Sequence, residues 1–215
     1  MRTRERLLAI QRFIEERVCA GREMKAPSPD MDVSKITMQT PRCFVGWQPL
    51  KPEEECLTEI ISVCPSILVM PTRGYAKYVE EQRFDRYRSI HRGQEMGQGL
   101  NVDILFSVYE PGVRLPGFLD SAEAGRIDPE RMLDGTQEGL FTLTDWMDDL
   151  MKALLGEKII PGTDLFVREA ALEYGLYTDS GGVPDKRPYY FGFIHAEFVG
   201  YAEESINQSI ERMLD

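Results

Sequence analysis

With 215 residues, 42% of them hydrophobic and 28% charged, the chain has the composition of a globular domain. Folding at that length buries roughly 70% of the unfolded surface, so neither disulfides nor metals are needed to hold a core. The formal charge of −11 is uneven: residues 1–99 carry 16 Lys and Arg against 14 Asp and Glu, and residues 100–215 carry 9 against 22. A half that acidic repels polyanions, and no apolar run reaches the ~18 to 20 residues of a membrane span, so no membrane partner is expected.

In the opening stretch, MRTRERLLAIQRFIEERVCAG, charge interrupts every apolar pair. That is not the apolar region of a signal peptide, and a cytoplasmic location is expected. Leu7, Leu8, Ile10, Phe13 and Ile14 share one face at helical spacing, which predicts a helix over 3–20 capped by Gly21. KAPSPDMDVSK (25–35) reads as loop. Cys43–Trp47 reads as a short strand closed by Pro49 and Pro52. The run between Pro65 and Pro71 reads as a second strand, with Pro71 favouring an edge or a strand end. Val102, Ile104, Phe106 and Val108 alternate with Asp103 and Ser107, the clearest strand pattern in the chain.

Residues 111–141 are rich in Gly, Pro and Asp without a sustained period, which predicts a long inserted loop at about 111–140. Leu143, Trp146, Met147, Leu150, Met151, Leu154 and Leu155 then form one stripe, predicting a helix over 143–155. Asp145, Asp148 and Asp149 fall toward its positive dipole end and Gly156 can cap it. Two strands follow, near 164–177 and 188–201, around the turn-rich TDSGGVPDK. Ile206, Ile210, Met213 and Leu214 suggest a short helical extension over 202–215. The expected fold is α+β: a single domain over 1–201, with an antiparallel sheet from the runs near 43–47, 66–70, 101–109, 164–177 and 188–201, covered by the long helix and flanked by N-terminal and C-terminal helices.

Chemistry is sparse. The four cysteines form no CxxC pair; a zinc site from Cys43, Cys56, Cys64 and His91 can be drawn, but buried reduced thiols fit better. Asp145, Asp148 and Asp149 suit a helix terminus better than a metal. Gly93, Gly97 and Gly99 lack the Lys-Ser/Thr of a phosphate loop, and DSGG is no nucleophile elbow. His195 has no Cys, Ser or second His near it in sequence. No catalytic residue, metal or cofactor is expected, and the chain reads as a non-enzyme.

Residues 72–92 interleave Arg73, Lys77, Arg83, Arg86, Arg88 and Arg92 with Tyr75, Tyr78, Phe84 and Tyr87. That pattern suits nucleic-acid backbone contacts with base stacking, a protein interface, or ordinary surface and sheet. In RPYYFGFIHAEFVGY, Tyr190, Gly192, Ile194, Ala196, Phe198 and Gly200 share a face whose small residues admit the long helix. Tyr189, Phe191, Phe193, His195 and Glu197 share the other face, suited to a neighbouring subunit. The candidate interface residues are Arg73, Tyr75, Tyr78 and Tyr87 from the basic-aromatic stretch. The loop around residue 182 adds Asp179, Asp185, Lys186 and Arg187, and the last strand adds Tyr189, Phe191 and Phe193.

CFVGWQPLKP followed by PSILVMPTRG, then VDILFSVYEPG, EGLFTLTDWMDDLMKALL and finally LEYGLYTD with RPYYFGFIHAEF, resembles in order and pattern the tail terminator (tail completion) proteins of long-tailed bacteriophages and prophages. The resemblance covers roughly residues 43–201, with a gap. It implies a small α+β subunit, commonly one of six in a ring, that caps the tail tube and offers the surface to which the neck or connector joins. The expected partners are copies of itself, the tail tube protein and the neck proteins. DNA would pass through without specific binding, along a lumen suited to the acidic half of the chain. The expected location is then the host cytoplasm during assembly and afterwards the tail. The alternative is a nucleic-acid-binding phage or bacterial protein using residues 72–92.

Overall fold

In the computed structural model, residues 2–28, 36–47, 63–78, 96–111, 129–178, 182–183 and 187–201 are described. Helix α1 (Thr3–Ile14) runs on as a π-helical turn, Glu15–Cys19. It ends where Gly21 takes φ 74°, a left-handed conformation that suits a glycine cap. Leu7, Ile10, Phe13 and Ile14 form its buried stripe, as the helical spacing predicts, whereas Leu8, expected on the same face, is exposed.

A small antiparallel pair follows, β1 (Met24–Pro27) with β2 (Ile36–Gln39). Residues 25–27, expected in a loop, therefore belong to a strand, and Pro27 is its last residue, opposite Ile36. The main sheet contains β3 (Arg42–Val45), β4 (Ser66–Tyr78), β5 (Met96–Tyr109), β6 (Phe166–Val167), β7 (Glu173–Leu176) and β8 (Tyr189–Tyr201). Its order is β3-β4-β5-β8-β6, with β7 also paired to β8.

The sheet is mixed rather than purely antiparallel, because β3 pairs parallel to β4. A parallel pair needs a crossover of a dozen or more residues, and the stretch between Val45 and Ser66 is long enough to supply one. Strand β4 does not stop at Pro71. Its pairing with β3 ends at Val69, so Pro71 occupies a length of β4 whose β3 side carries no ladder. The run 164–177 is not one strand either: a 3-10 turn, Glu169–Ala171, separates β6 from β7.

The largest departure concerns α2, which runs from Pro129 to Glu157. Residues 129–140, expected as the end of a long loop, are helical; residues 112–128 and the proposed extension 202–215 lie outside the described residues. Gly135 and Gly139 signal loop locally, yet Gly139 is a packing device. A Cβ there would lie 2.2 Å from the ring of Tyr190 on β8. The early start also moves Asp145, Asp148 and Asp149 from a first turn to mid-helix, so the dipole does not explain them. Asp149 instead meets Arg22 in an ion pair, with Lys152 Nζ 3.8 Å away. Gly156 is not the cap: the helix runs past it, and Lys158 takes the left-handed position at φ 58°.

One face of β4, β5 and β8 contributes Ile67, Val69, Val102, Ile104, Phe106, Ile194 and Phe198 to the core. Leu143, Trp146, Met147, Leu150 and Leu154 of α2 join the same cluster, and Leu155 of the predicted stripe is exposed. Trp146 meets Phe106 edge to face at 5.2 Å and donates its indole N–H to the Val18 carbonyl at 3.0 Å. That bond satisfies the one polar atom of the largest fully buried side chain. Each such side chain contributes about 1.5–3 kcal/mol on burial. Gly192 permits the approach of α2, since a Cβ there would come within 2.6 Å of Met147 Sδ. Cys19, Cys43 and Cys64 are free and buried. Cys56 and His91, the other two members of the drawn zinc site, lie outside the described residues.

Candidate functional site

Alternation along the strands gives the sheet a second face. In β8, Gly192, Ile194, Ala196 and Phe198 are buried, whereas Phe193, His195 and Glu197 between them are half-buried. The same alternation runs through β5, where Asn101, Asp103, Leu105 and Ser107 are half-buried. Register then aligns these residues in rows across the sheet. Phe44 of β3 opposes Leu68 of β4, Leu68 opposes Leu105 of β5, and Leu105 opposes Phe193 of β8. All four are half-buried. The row ends at Gly175 of β7, over which the Phe193 ring lies: a Cβ on the glycine would be 3.5 Å from Cε1 of that ring.

A polar row runs beside it. Met70 opposes Asp103, Asp103 opposes His195, and His195 opposes Glu173. His195 Nδ1 lies 2.5 Å from Asp103 Oδ1. The histidine, solitary in sequence, therefore has a carboxylate partner 92 residues away that only strand pairing brings to it. Glu197 is held by Arg168, whose Nη1 lies 3.1 Å from each carboxylate oxygen. Burial nevertheless pushes the Glu197 carboxyl above the ordinary range, opposing the guanidinium's preference for the charged form. On the other side of the apolar row, Ser66 Oγ and Ser107 Oγ lie 2.8 Å apart.

Of the residues singled out from sequence, Tyr189, Phe191 and Phe193 share this face of β8, and Phe191 is 36% exposed. Tyr189 packs against Tyr109 at 5.2 Å between ring centroids. Arg187 is exposed and precedes β8. Arg73 is exposed, and it opposes Asn101, which opposes Glu197. It thus belongs to the same sheet face, two registers beyond His195. Tyr75 and Tyr78 are in β4, opposite Gly99 and Met96. Their side chains, and Tyr87, Asp179, Asp185 and Lys186 altogether, lie outside the described residues.

Sequence reasoning missed Phe44, Leu68 and Leu105. Leu105 stands between Asp103 and Ser107 on the face read as polar, and it was the available signal. Among the described residues, no group of three or more His, Cys, Asp or Glu side chains is placed to hold a metal, and no helix is long and apolar enough to cross a membrane. The burial of Cys19 and Cys64 pushes both thiols up to about 12, and burial raises Cys43 further, so all three are protonated at neutral pH. The site offers an apolar stripe with a charged border, the composition of an association surface. No protein-family model and no curated protein matches this chain.

Proposed function

We propose that the chain is a structural protein of bacteriophage or prophage tails, similar to the tail terminators. Its copies associate into a ring, with six expected, that caps the tail tube and presents the surface on which the neck proteins assemble. It performs no chemistry, and DNA passes through without specific binding. The observation that carries this reading is the row Phe44–Leu68–Leu105–Phe193, half-exposed on a sheet whose opposite face is filled by its own helices. A core on one face and an apolar stripe on the other suit a subunit that completes its burial against a neighbour. The antiparallel run β4-β5-β8, with α2 packed on its inner side, supports the finer architecture of a long helix covering an antiparallel sheet.

Native mass spectrometry of the purified chain over a concentration series tests the ring. A discrete closed assembly, expected at six copies, supports the reading. A monomer at every concentration overturns it.

A further inference from the structure

We propose that copies of this chain join edge to edge, with β7 of one copy adding as a strand to the open side of β4 in the next. The proposal rests on the assembly reading above and names the two surfaces that meet.

The sheet has two open edges. Among the described residues, β7 pairs only with β8, and β4 has no partner on its β3 side beyond Val69. Hydrogen bonds fix which backbone groups face these edges. Tyr177 N donates to Phe191 O, so residues 173, 175 and 177 bond to β8. The N–H and C=O of Tyr174 and Leu176 therefore point to the open side. The same alternation carries through β8 and β5 to β4, where residues 73, 75 and 77 bond to β5. Gly74 and Ala76 then present their N–H and C=O outward. The bond from Gly46 N to Val69 O, on the β3 side, fits this phase ahead of the bulge.

Strand direction matches as well. β4 is antiparallel to β5, β5 to β8 and β8 to β7, so β7 runs opposite to β4. With the same sheet face aligned in both copies, the two edges meet as an antiparallel pair. Their outward groups bond when Gly74 opposes Leu176 and Ala76 opposes Tyr174, a small residue against a large one at each position. Tyr174 is 59% exposed, and a Cβ at Gly74 meets nothing within 4 Å. Tyr75 then falls opposite Gly175, over which the Phe193 ring lies, so the outer apolar row continues into the next copy. Lys77 falls opposite Glu173, joining opposite charges. Sliding by two residues in either direction parts that pair, and in one direction sets Tyr78 against Tyr174. Main-chain bonds supply the affinity of such a junction, and the side-chain pairs fix its register. Because the two edges differ, the contact repeats head to tail, as a ring requires.

Disulfide trapping tests the register. Lys77→Cys with Glu173→Cys places two thiols on a non-hydrogen-bonded pair, where Cα atoms lie about 4.5 Å apart and a disulfide can close. Mild oxidation should link this double variant into trimers and longer species on non-reducing gels, whereas either single variant stops at dimers. Charge exchange tests the same contact in solution by sedimentation velocity. Lys77→Glu or Glu173→Lys alone should weaken association at least about tenfold, and the two together in one chain should restore it to within about threefold. Absence of links beyond dimers, or association unaffected by either single reversal, overturns the proposal. If the natural chain still assembles in that case, the ring reading stands and other surfaces form it. A natural chain that is monomeric at every concentration overturns both.

Discussion

Gly139 of α2 lies directly beneath the ring of Tyr190 of β8: a Cβ on the glycine would fall 2.2 Å from Cε2 and 2.5 Å from Cζ. Helix and strand approach this closely only because the helix has no side chain at that point. Gly139→Ala should therefore destabilise the protein. Alanine gains up to about 1 kcal/mol of helix propensity, but overpacking costs about 1–3 kcal/mol. The expected net loss is about 1 kcal/mol in urea unfolding, and Tyr190→Leu in the same chain should recover most of it. A stabilised Gly139→Ala variant would show that the contact is absent.

Lys158 holds a left-handed backbone conformation, φ 58°, where glycine is the ordinary choice. Its Nζ lies 2.8 Å from Glu169 Oε1, an exposed pair that contributes little. Lys158→Gly should raise stability by about 0.5 kcal/mol, since relief of strain of about 1 kcal/mol exceeds the lost ion pair and the added chain entropy. Lys158→Ala keeps the strain and loses the pair, so its Tm should fall below that of the glycine variant. Equal Tm values for the two would remove the strain argument.

Cys19 and Cys64 have thiols raised by burial to about 12, whereas an unfolded chain ionises them near 9. Between those values the unfolded state releases protons that the native state keeps. The stabilising effect is complete below about pH 9 and is lost as pH rises toward 12, at roughly 1.4 kcal/mol per pH unit for each thiol. Urea midpoints at pH 8, 9 and 10 should fall more steeply for the natural chain than for Cys64→Ala. Parallel slopes would contradict the burial of that thiol. At pH 8, alkylation of all three described cysteines should await unfolding.

Phe191 is exposed beside Phe193 on the outer face of β8. If that face joins neighbouring copies, Phe191→Asp should weaken association at least tenfold, or about 1.4 kcal/mol, with little effect on the Tm of the isolated subunit. Sedimentation velocity over a concentration series measures this. Unchanged assembly would move the interface elsewhere.

Local pattern was enough for much of this fold. Helix α1, its glycine cap, the buried stripe of α2 around Trp146, and the alternation of β5 and β8 all follow from spacings of 3.6 or 2.0 residues within a single element. The outer residues Tyr189, Phe191 and Phe193 were legible for the same reason, because alternation assigns faces without knowing the partner strand. Position along the chain was less informative about ends. Glycines at 135 and 139 look like loop until a ring from a distant strand requires one of them, and an aspartate cluster looks like a helix start until the helix proves to begin many residues earlier.

What only the tertiary structure decided is registry between elements far apart in sequence. Pairing of β5 with β8 gives His195 its carboxylate at Asp103, and pairing across four strands assembles Phe44, Leu68, Leu105 and Phe193 into one stripe. The direction of β3 belongs with these, since the hydrophobic pattern of a short strand reads the same in either direction. So does the meeting of Thr3 and Arg6 of α1 with residues 71–74 of β4, which needs the helix to reach a bulged strand in space. The sequence determined which residues face in and which face out; the packing of distant segments decided which of the outward residues stand together, because side-chain periodicity is a local property and neighbourhood across a sheet is not.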